Sequence, residues 1–227
     1  MKQGRGWGFL GVPALNYIAE KNMERRLGRS LEKESNAKPL TWGQLLEQVI
    51  FQELGIEYQL VSKDTIVHPQ IEYWAGSPDA NKFDDGRTVC DIKAPITLKS
   101  FCQLVDPLYS GLEGMEAMNV IRKEHEQGDK YYWQLVSNSI LTDSKWAELI
   151  VYVPYLSQLK SVRQFATEFD LDNEYRYYWV TNAQDDELPY LNDGGFYKNL
   201  NIIRFEVPES DKKLLEEKVI ECGALLQ

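Results

Sequence analysis

At 227 residues, 43% of them hydrophobic, the chain is long enough to bury one substantial core, either a single α/β domain or a core with an appended lobe. No apolar run reaches membrane-spanning length, no signal-peptide core follows Met1-Lys2-Gln3-Gly4-Arg5, and the three cysteines, Cys90, Cys102 and Cys222, lack C-x-x-C spacing. A disulfide framework and a zinc knuckle are thereby disfavoured, a cytoplasmic protein is expected, and two histidines, His68 and His125, give little support to a His-based nuclease or a Ser-His hydrolase.

The net charge of −10 is spread unevenly. Residues 1–38 hold eight Lys or Arg against four acids, leaving 17 basic and 31 acidic side chains for the remainder. This basic segment includes Arg25, Arg26 and Arg29, candidates for holding a nucleic-acid backbone, with an ordinary solvated helix face as the alternative. Gly4, Gly6 and Gly8 follow no strand and precede no G-K-[ST], so they are not read as a phosphate loop. Residues 13–29 carry Leu15, Ile18, Ala19 and Met23 at helical spacing, and residues 30–40 read as a polar linker.

A second helix is expected from Thr41, as N-cap with Gln44 at the capping-box position, to about Leu54 before Gly55. Trp42, Leu45, Leu46, Val49, Ile50 and Leu54 form its apolar stripe, with Glu47 at the edge of that stripe and Glu53 as a rival carboxylate nearer its centre. Residues 57–62 and 71–74 read as strands, the second leading to Ser77-Pro78-Asp79.

The run Val89-Cys90-Asp91-Ile92-Lys93-Ala94-Pro95 is β-rich, so Asp91 and Lys93, two residues apart, leave the same face of a strand. Whether Asp79 joins them depends on the turn at Asp84-Asp85-Gly86-Arg87. A two-residue loop would pair Asp79 with Ile92, whereas a three-residue loop with Gly86 in the left-handed region pairs Asp79 with Asp91, and the odd-numbered loop is the one expected. Two carboxylates held as cross-strand neighbours repel unless a cation sits between them, and oxygen-only ligation favours Mg²⁺ or Mn²⁺ over zinc. The bland alternative is a turn aspartate and an exposed i,i+2 pair on an edge strand.

Further on, residues 97–104 read as a short helix and residues 105–130 as the least regular part, with Met115, Met118, Val120 and Ile121 in a helix or lid beside the cleft. Residues 131–141 read as a strong helix in which Gln134 and Asn138 share a face. Residues 146–154 look like a buried central strand, residues 175–181 and 201–207 like further strands, and residues 210–226 like a last helix. Asp185-Asp186-Glu187 and Asp193-Gly194-Gly195 are most simply turns.

Gly76-Ser77-Pro78-Asp79, Asp91-Ile92-Lys93-Ala94-Pro95, His68-Pro69, Tyr131-Tyr132-Trp133-Gln134-Leu135 and Gly43-x-x-x-Glu47 together resemble the YqaJ-type branch of the lambda exonuclease family of PD-(D/E)XK nucleases. The likeness covers roughly residues 40–155, and Asp91 stands where glutamate is commoner. It implies a restriction-endonuclease-like α/β core of about five mixed strands flanked by helices, formed by the chain as one domain: a basic amino-terminal segment at 1–38, a catalytic core at 39–155, and further strands and a helix at 156–227. It implies a Mg²⁺-dependent exonuclease that digests duplex DNA ends for recombination, with Glu47, Asp79, Asp91 and Ile92 around the metal, Lys93 assisting the water, and Gln134 near the DNA end or orienting the lysine. DNA, a single-strand annealing protein and a homo-oligomer, a trimer by the resemblance, are the implied partners. A structure-specific or restriction-like endonuclease and a catalytically silent DNA-binding scaffold are the alternatives.

Overall fold

The computed structural model describes residues 11–31, 37–55, 57–60, 65–83, 87–171 and 175–226. Helix α1, Val12–Leu27, opens with a proline in its first turn and ends at Gly28, whose φ of 65° supplies the left-handed C-cap. Helix α2 is Lys38–Ile50 with Ala37 as N-cap, four residues before the Thr41 cap that the capping-box pattern predicts. Thr41 is therefore inside the helix and wholly buried; its Oγ1 lies 3.2 Å from the Lys38 carbonyl and accepts from Trp179 Nε1 at 2.9 Å. A proline in the first turn starts this helix in place of a hydroxyl cap.

Strands β1 (Tyr58–Leu60), β4 (Ala80–Lys82), β5 (Thr88–Lys93), β6 (Trp146–Tyr152) and β7 (Leu200–Glu206) form a mixed sheet in the order β1-β4-β5-β6-β7. All neighbours are antiparallel except β5 and β6, which run parallel and are joined through helices α3 (Leu98–Tyr109), α4 (Gly114–Glu124) and α5 (Gly128–Leu141). A parallel pair needs such a crossover because a tight turn cannot return the chain to the same end. A small second sheet pairs β2 (Ile66–Val67) with β3 (Ala75–Gly76). Helices α6 (Leu159–Asp170), α7 (Tyr178–Asn182) and α8 (Glu209–Gly223) complete the chain.

The sheet separates two apolar layers. Val89, Leu149, Val151, Ile203 and Phe205 face α3, α4 and α5, while Ala80, Cys90, Ile92, Ile150 and Tyr152 face α2, α6 and α7. One face of β6 also carries a buried carboxylate, Glu148, which accepts from the Tyr58 hydroxyl at 2.7 Å and lies 3.5 Å from Lys82 Nζ and 3.7 Å from an Arg204 nitrogen. Among the described residues no helix is long and apolar enough to cross a membrane.

Several elements differ from the sequence expectation. Residues 71–74 form a turn, closed by the Trp74 amide donating to the Ile71 carbonyl at 2.9 Å. His68 Nδ1 accepts from the Gln70 and Ile71 amides, and the His68 ring stacks on Trp74 at 5.0 Å, so local side-chain bonding overrides the β-rich composition. The aromatic run at 175–181 contains the helix α7 in place of a strand, because Tyr177 and Val180, three residues apart, are both drawn into the layer against α2. The irregular region expected at 105–130 is largely helical. Helix α3 extends to Tyr109, and Met118 and Ile121 of α4 are wholly buried, so that helix is core and not a lid. The expected turn glycine Gly86, the glycines Gly4, Gly6 and Gly8, and residues 61 and 62 of the first expected strand lie outside the described residues.

Candidate metal-binding active site

Strand β5 is almost fully enclosed, from Thr88 at 1% exposed to Asp91 at 0%. Val89 points into the layer beneath α3 to α5, and side chains two and four residues on leave by the same face. That rule puts Asp91 and Lys93 there, at the end where the strand runs out into Ala94-Pro95. Strand β4 pairs with β5 as Ala80 opposite Cys90, Asn81 opposite Val89 and Lys82 opposite Thr88, so one further step sets Asp79 opposite Asp91. This register leaves an odd number of residues between Lys82 and Thr88, as the facing carboxylates require, while the loop residues 84–86 lie outside the described residues.

Three contacts define the centre of the cluster. The Ile92 amide donates to Asp79 Oδ2 at 2.7 Å. Lys93 Nζ lies 2.6 Å from Asp91 Oδ2 in a buried ion pair, while Asp91 Oδ1 is buried without a partner. The Tyr131 ring of α5 lies under the lysine, 5.0 Å from Nζ to the ring centre. Burial first, and the Asp91 charge second, push the Asp79 carboxyl up to about 7. Burial likewise raises Glu47, with Lys93 acting against it and Asp91 with it, so this α2 carboxylate is in electrostatic contact with the cluster. Burial works against the Lys93 ammonium, but the carboxylates of Asp91 and Asp79 carry its pKa above the usual lysine value.

The structure thus brings Glu47, Asp79, Asp91, Ile92 and Lys93 to one place. Glu53 is elsewhere, accepting from Gln158 Nε2 at 2.7 Å. Gln134 sits half-buried on α5, three residues beyond Tyr131. The three arginines belong to α1 and the residues after it: Arg25 borders a groove between α1 and α8, Arg26 Nε donates to the Asn22 carbonyl at 3.2 Å, and Arg29 is exposed beyond Gly28. Tyr131 was present in the sequence only as part of a motif, and its place beneath Lys93 depends on how α5 packs across β5.

The donor set fits a hard divalent cation. Two facing carboxylates, with Asp91 Oδ1 buried and without a partner, leave an unsatisfied anionic oxygen that burial makes costly. Among the described residues no three Asp, Glu, His or Cys side chains close a metal site by themselves.

The central mixed sheet flanked by helices, with a carboxylate pair and a lysine at its open end, is the arrangement the sequence motifs led us to expect. Solved exonucleases share the fold. An alkaline exonuclease, LHK-Exo, from Laribacter hongkongensis matches with a TM-score of 0.54 at 16% identity, over 95% of this chain and 80% of that one. The complex of LHK-Exo with dAMP matches at 0.55 and 16%, over 96% and 82%. A phage-related exonuclease from Haemophilus somnus 129PT matches at 0.56 and 12%, over 96% and 83%. Identity this low speaks for the fold, and a shared fold does not by itself set the activity. No protein-family model and no curated protein matches the sequence.

Proposed function

We propose that this chain is a metal-dependent deoxyribonuclease that removes nucleotides from the ends of duplex DNA. The supporting observation is Asp91, a carboxylate wholly withdrawn from solvent, opposite Asp79, with Lys93 at 2.6 Å from Oδ2 and no partner on Oδ1. Two facing buried carboxylates exceed what one lysine neutralises, and in a purely structural role that excess of buried negative charge is costly. Asp79, Asp91 and the main chain of Ile92 would hold Mg²⁺ or Mn²⁺, with Glu47 approaching from α2. When bound, the ion supplies an acidified water and neutralises charge on the scissile phosphate. Lys93 would donate to the attacking water or to the pentavalent phosphate, and Tyr131 would hold it in place. Gln134 is assigned to the DNA end or to the lysine.

Exonuclease action is preferred over endonuclease action because the solved structures with this fold are exonucleases. Extended to a cellular setting, the proposal makes the product a single strand for recombination, passed to a single-strand annealing protein. It also favours a homo-oligomer, since a chain of net charge −10 repels DNA at long range and gains from enclosing it. The test is incubation of end-labelled linear and closed circular DNA with Mg²⁺ or with EDTA. Linear DNA should be degraded from its ends only with Mg²⁺. Nicking of closed circles at a similar rate would make the enzyme an endonuclease, and metal-independent binding with no cleavage would make the chain a scaffold.

A further inference from the structure

Lys93 of β5, Val151 of β6 and Asn201 of β7 are cross-strand partners in one row. Directly paired residues send their side chains to the same face, and each strand adds about 4.8 Å, so Asn201 stands on the face of Lys93 at roughly 10 Å. Its side chain accepts from the Tyr109 hydroxyl at 3.2 Å. Tyr109 in turn belongs to a group of aromatic rings at this end of the sheet. Its ring lies 5.1 Å from Phe196 and 5.0 Å from Tyr197, Phe196 lies 4.9 Å from Tyr197, and Tyr197 packs edge-on against Phe101.

The group is held rigidly. The Tyr109 hydroxyl also accepts from the Lys198 amide at 2.7 Å, and the Tyr197 hydroxyl donates to Asp106 at 2.6 Å. Yet Phe196, at its outer edge, is 74% exposed. Its two ring neighbours meet it tilted and edge-on, neither stacked flat, which leaves a face of Phe196 open. An exposed phenylalanine forgoes the stabilisation of burial, and here it is fixed on a scaffold of hydrogen-bonded tyrosines. Lys198, two residues on, is exposed and has no ion pair among the described residues.

We propose that Phe196, buttressed by Tyr109 and Tyr197, is a stacking platform for an unpaired nucleobase of the DNA strand engaged at the Asp91 and Lys93 site, with Lys198 meeting the adjoining phosphate. This deepens the nuclease reading and rests on it for the identity of the strand. Stacking on an aromatic face is tolerant of sequence, as an enzyme that works along a strand requires. A protein partner is the less favoured occupant, because the cation and the level with Lys93 both point to nucleic acid.

The test uses the full-length protein in EDTA, with binding of a fluorescent oligothymidylate and of a base-free deoxyribose-phosphate oligomer of equal length read by anisotropy. Phe196→Ala should weaken the oligothymidylate by about tenfold or more, Phe196→Trp should retain it, and neither should alter the base-free oligomer or the melting temperature. Lys198→Ala should weaken both oligomers. Unchanged oligothymidylate affinity in Phe196→Ala, equal losses on both oligomers, or a change in oligomer mass by light scattering would overturn the proposal. A wild-type protein that cleaves nothing with Mg²⁺ but keeps the Phe196 effect would remove the nuclease reading and leave the platform. Cleavage without any Phe196 effect on binding would do the reverse.

Discussion

The Ile92 amide donates to Asp79 Oδ2 across 2.7 Å, so the carboxylate of one strand is fixed by the main chain of the next. This bond holds Asp79 toward Asp91 although the two charges repel; burial first, and that repulsion second, raise the Asp79 pKa. Replacing Asp91 by asparagine removes that repulsion and a metal ligand together. Asp91→Asn should abolish cleavage and Mg²⁺ binding by calorimetry, while the metal-free protein melts at the same temperature or higher. A variant that still cleaves DNA would remove Asp91 from the site.

Lys93 tests the division between binding and chemistry. Lys93→Ala should lower turnover by roughly 10² to 10³, the loss that follows removal of one transition-state donor, with DNA affinity in Ca²⁺ largely kept. An equal fall in affinity would make the lysine a phosphate anchor.

Tyr131 should act through Lys93, since its ring centre lies 5.0 Å from the ammonium. Cation–π contacts of this kind contribute about 0.5–2 kcal/mol, or roughly two- to thirtyfold in rate if the lysine is displaced. Tyr131→Phe keeps the ring and should stay near wild-type turnover, whereas Tyr131→Leu should lose it. Equal losses in both variants would instead assign the role to the hydroxyl.

His125 should give the fold a pH dependence. It is 7% exposed, its Nδ1 accepts from the Gln127 amide, and Nε2 lies 2.8 Å from Ser100 Oγ, an arrangement that suits the neutral ring with its hydrogen on Nε2. Burial holds its pKa below the usual 6.5. As pH falls through 6.5 the unfolded chain takes up a proton that the folded chain resists, so the contribution of His125 to stability falls from there down to its lowered folded pKa and is flat above. Asp79, raised on folding, contributes with the opposite sign in both proteins, so the urea midpoint of the wild type minus that of His125→Gln should fall as pH is lowered from about 8 to 5. Parallel curves would contradict it.

Two glutamates on neighbouring strands should differ sharply in their worth. Glu148 is 1% exposed and is shared by Tyr58, Lys82 and Arg204, so Glu148→Ala removes the acceptor of the Tyr58 hydroxyl and a carboxylate beside the partly buried Lys82, and should cost about 1.5–3 kcal/mol in urea unfolding. Glu206 pairs with Lys145 at 3.4 Å, but both side chains are more than half exposed, and Glu206→Ala should cost below about 1 kcal/mol.

The amino-acid sequence by itself determined the parts whose information is local. Asp91 and Lys93 share a face because a strand repeats every two residues, and an odd turn length brings Asp79 opposite Asp91, so three site residues were legible from spacing. The apolar stripe of α2 likewise identified its buried face, and with it the edge that carries Glu47. Tertiary structure decided what depends on distant partners. Tyr177 and Val180 become part of a helical turn on meeting α2, where β-propensity pointed to a strand. Glu47 is distinguished from Glu53 only by the packing that sets one beside the carboxylate pair and gives the other to Gln158. The aromatic group around Phe196 is even less visible in sequence, since its link to the row of Lys93 runs through Asn201 and the hydrogen-bond register of three strands, an alignment that no local pattern encodes.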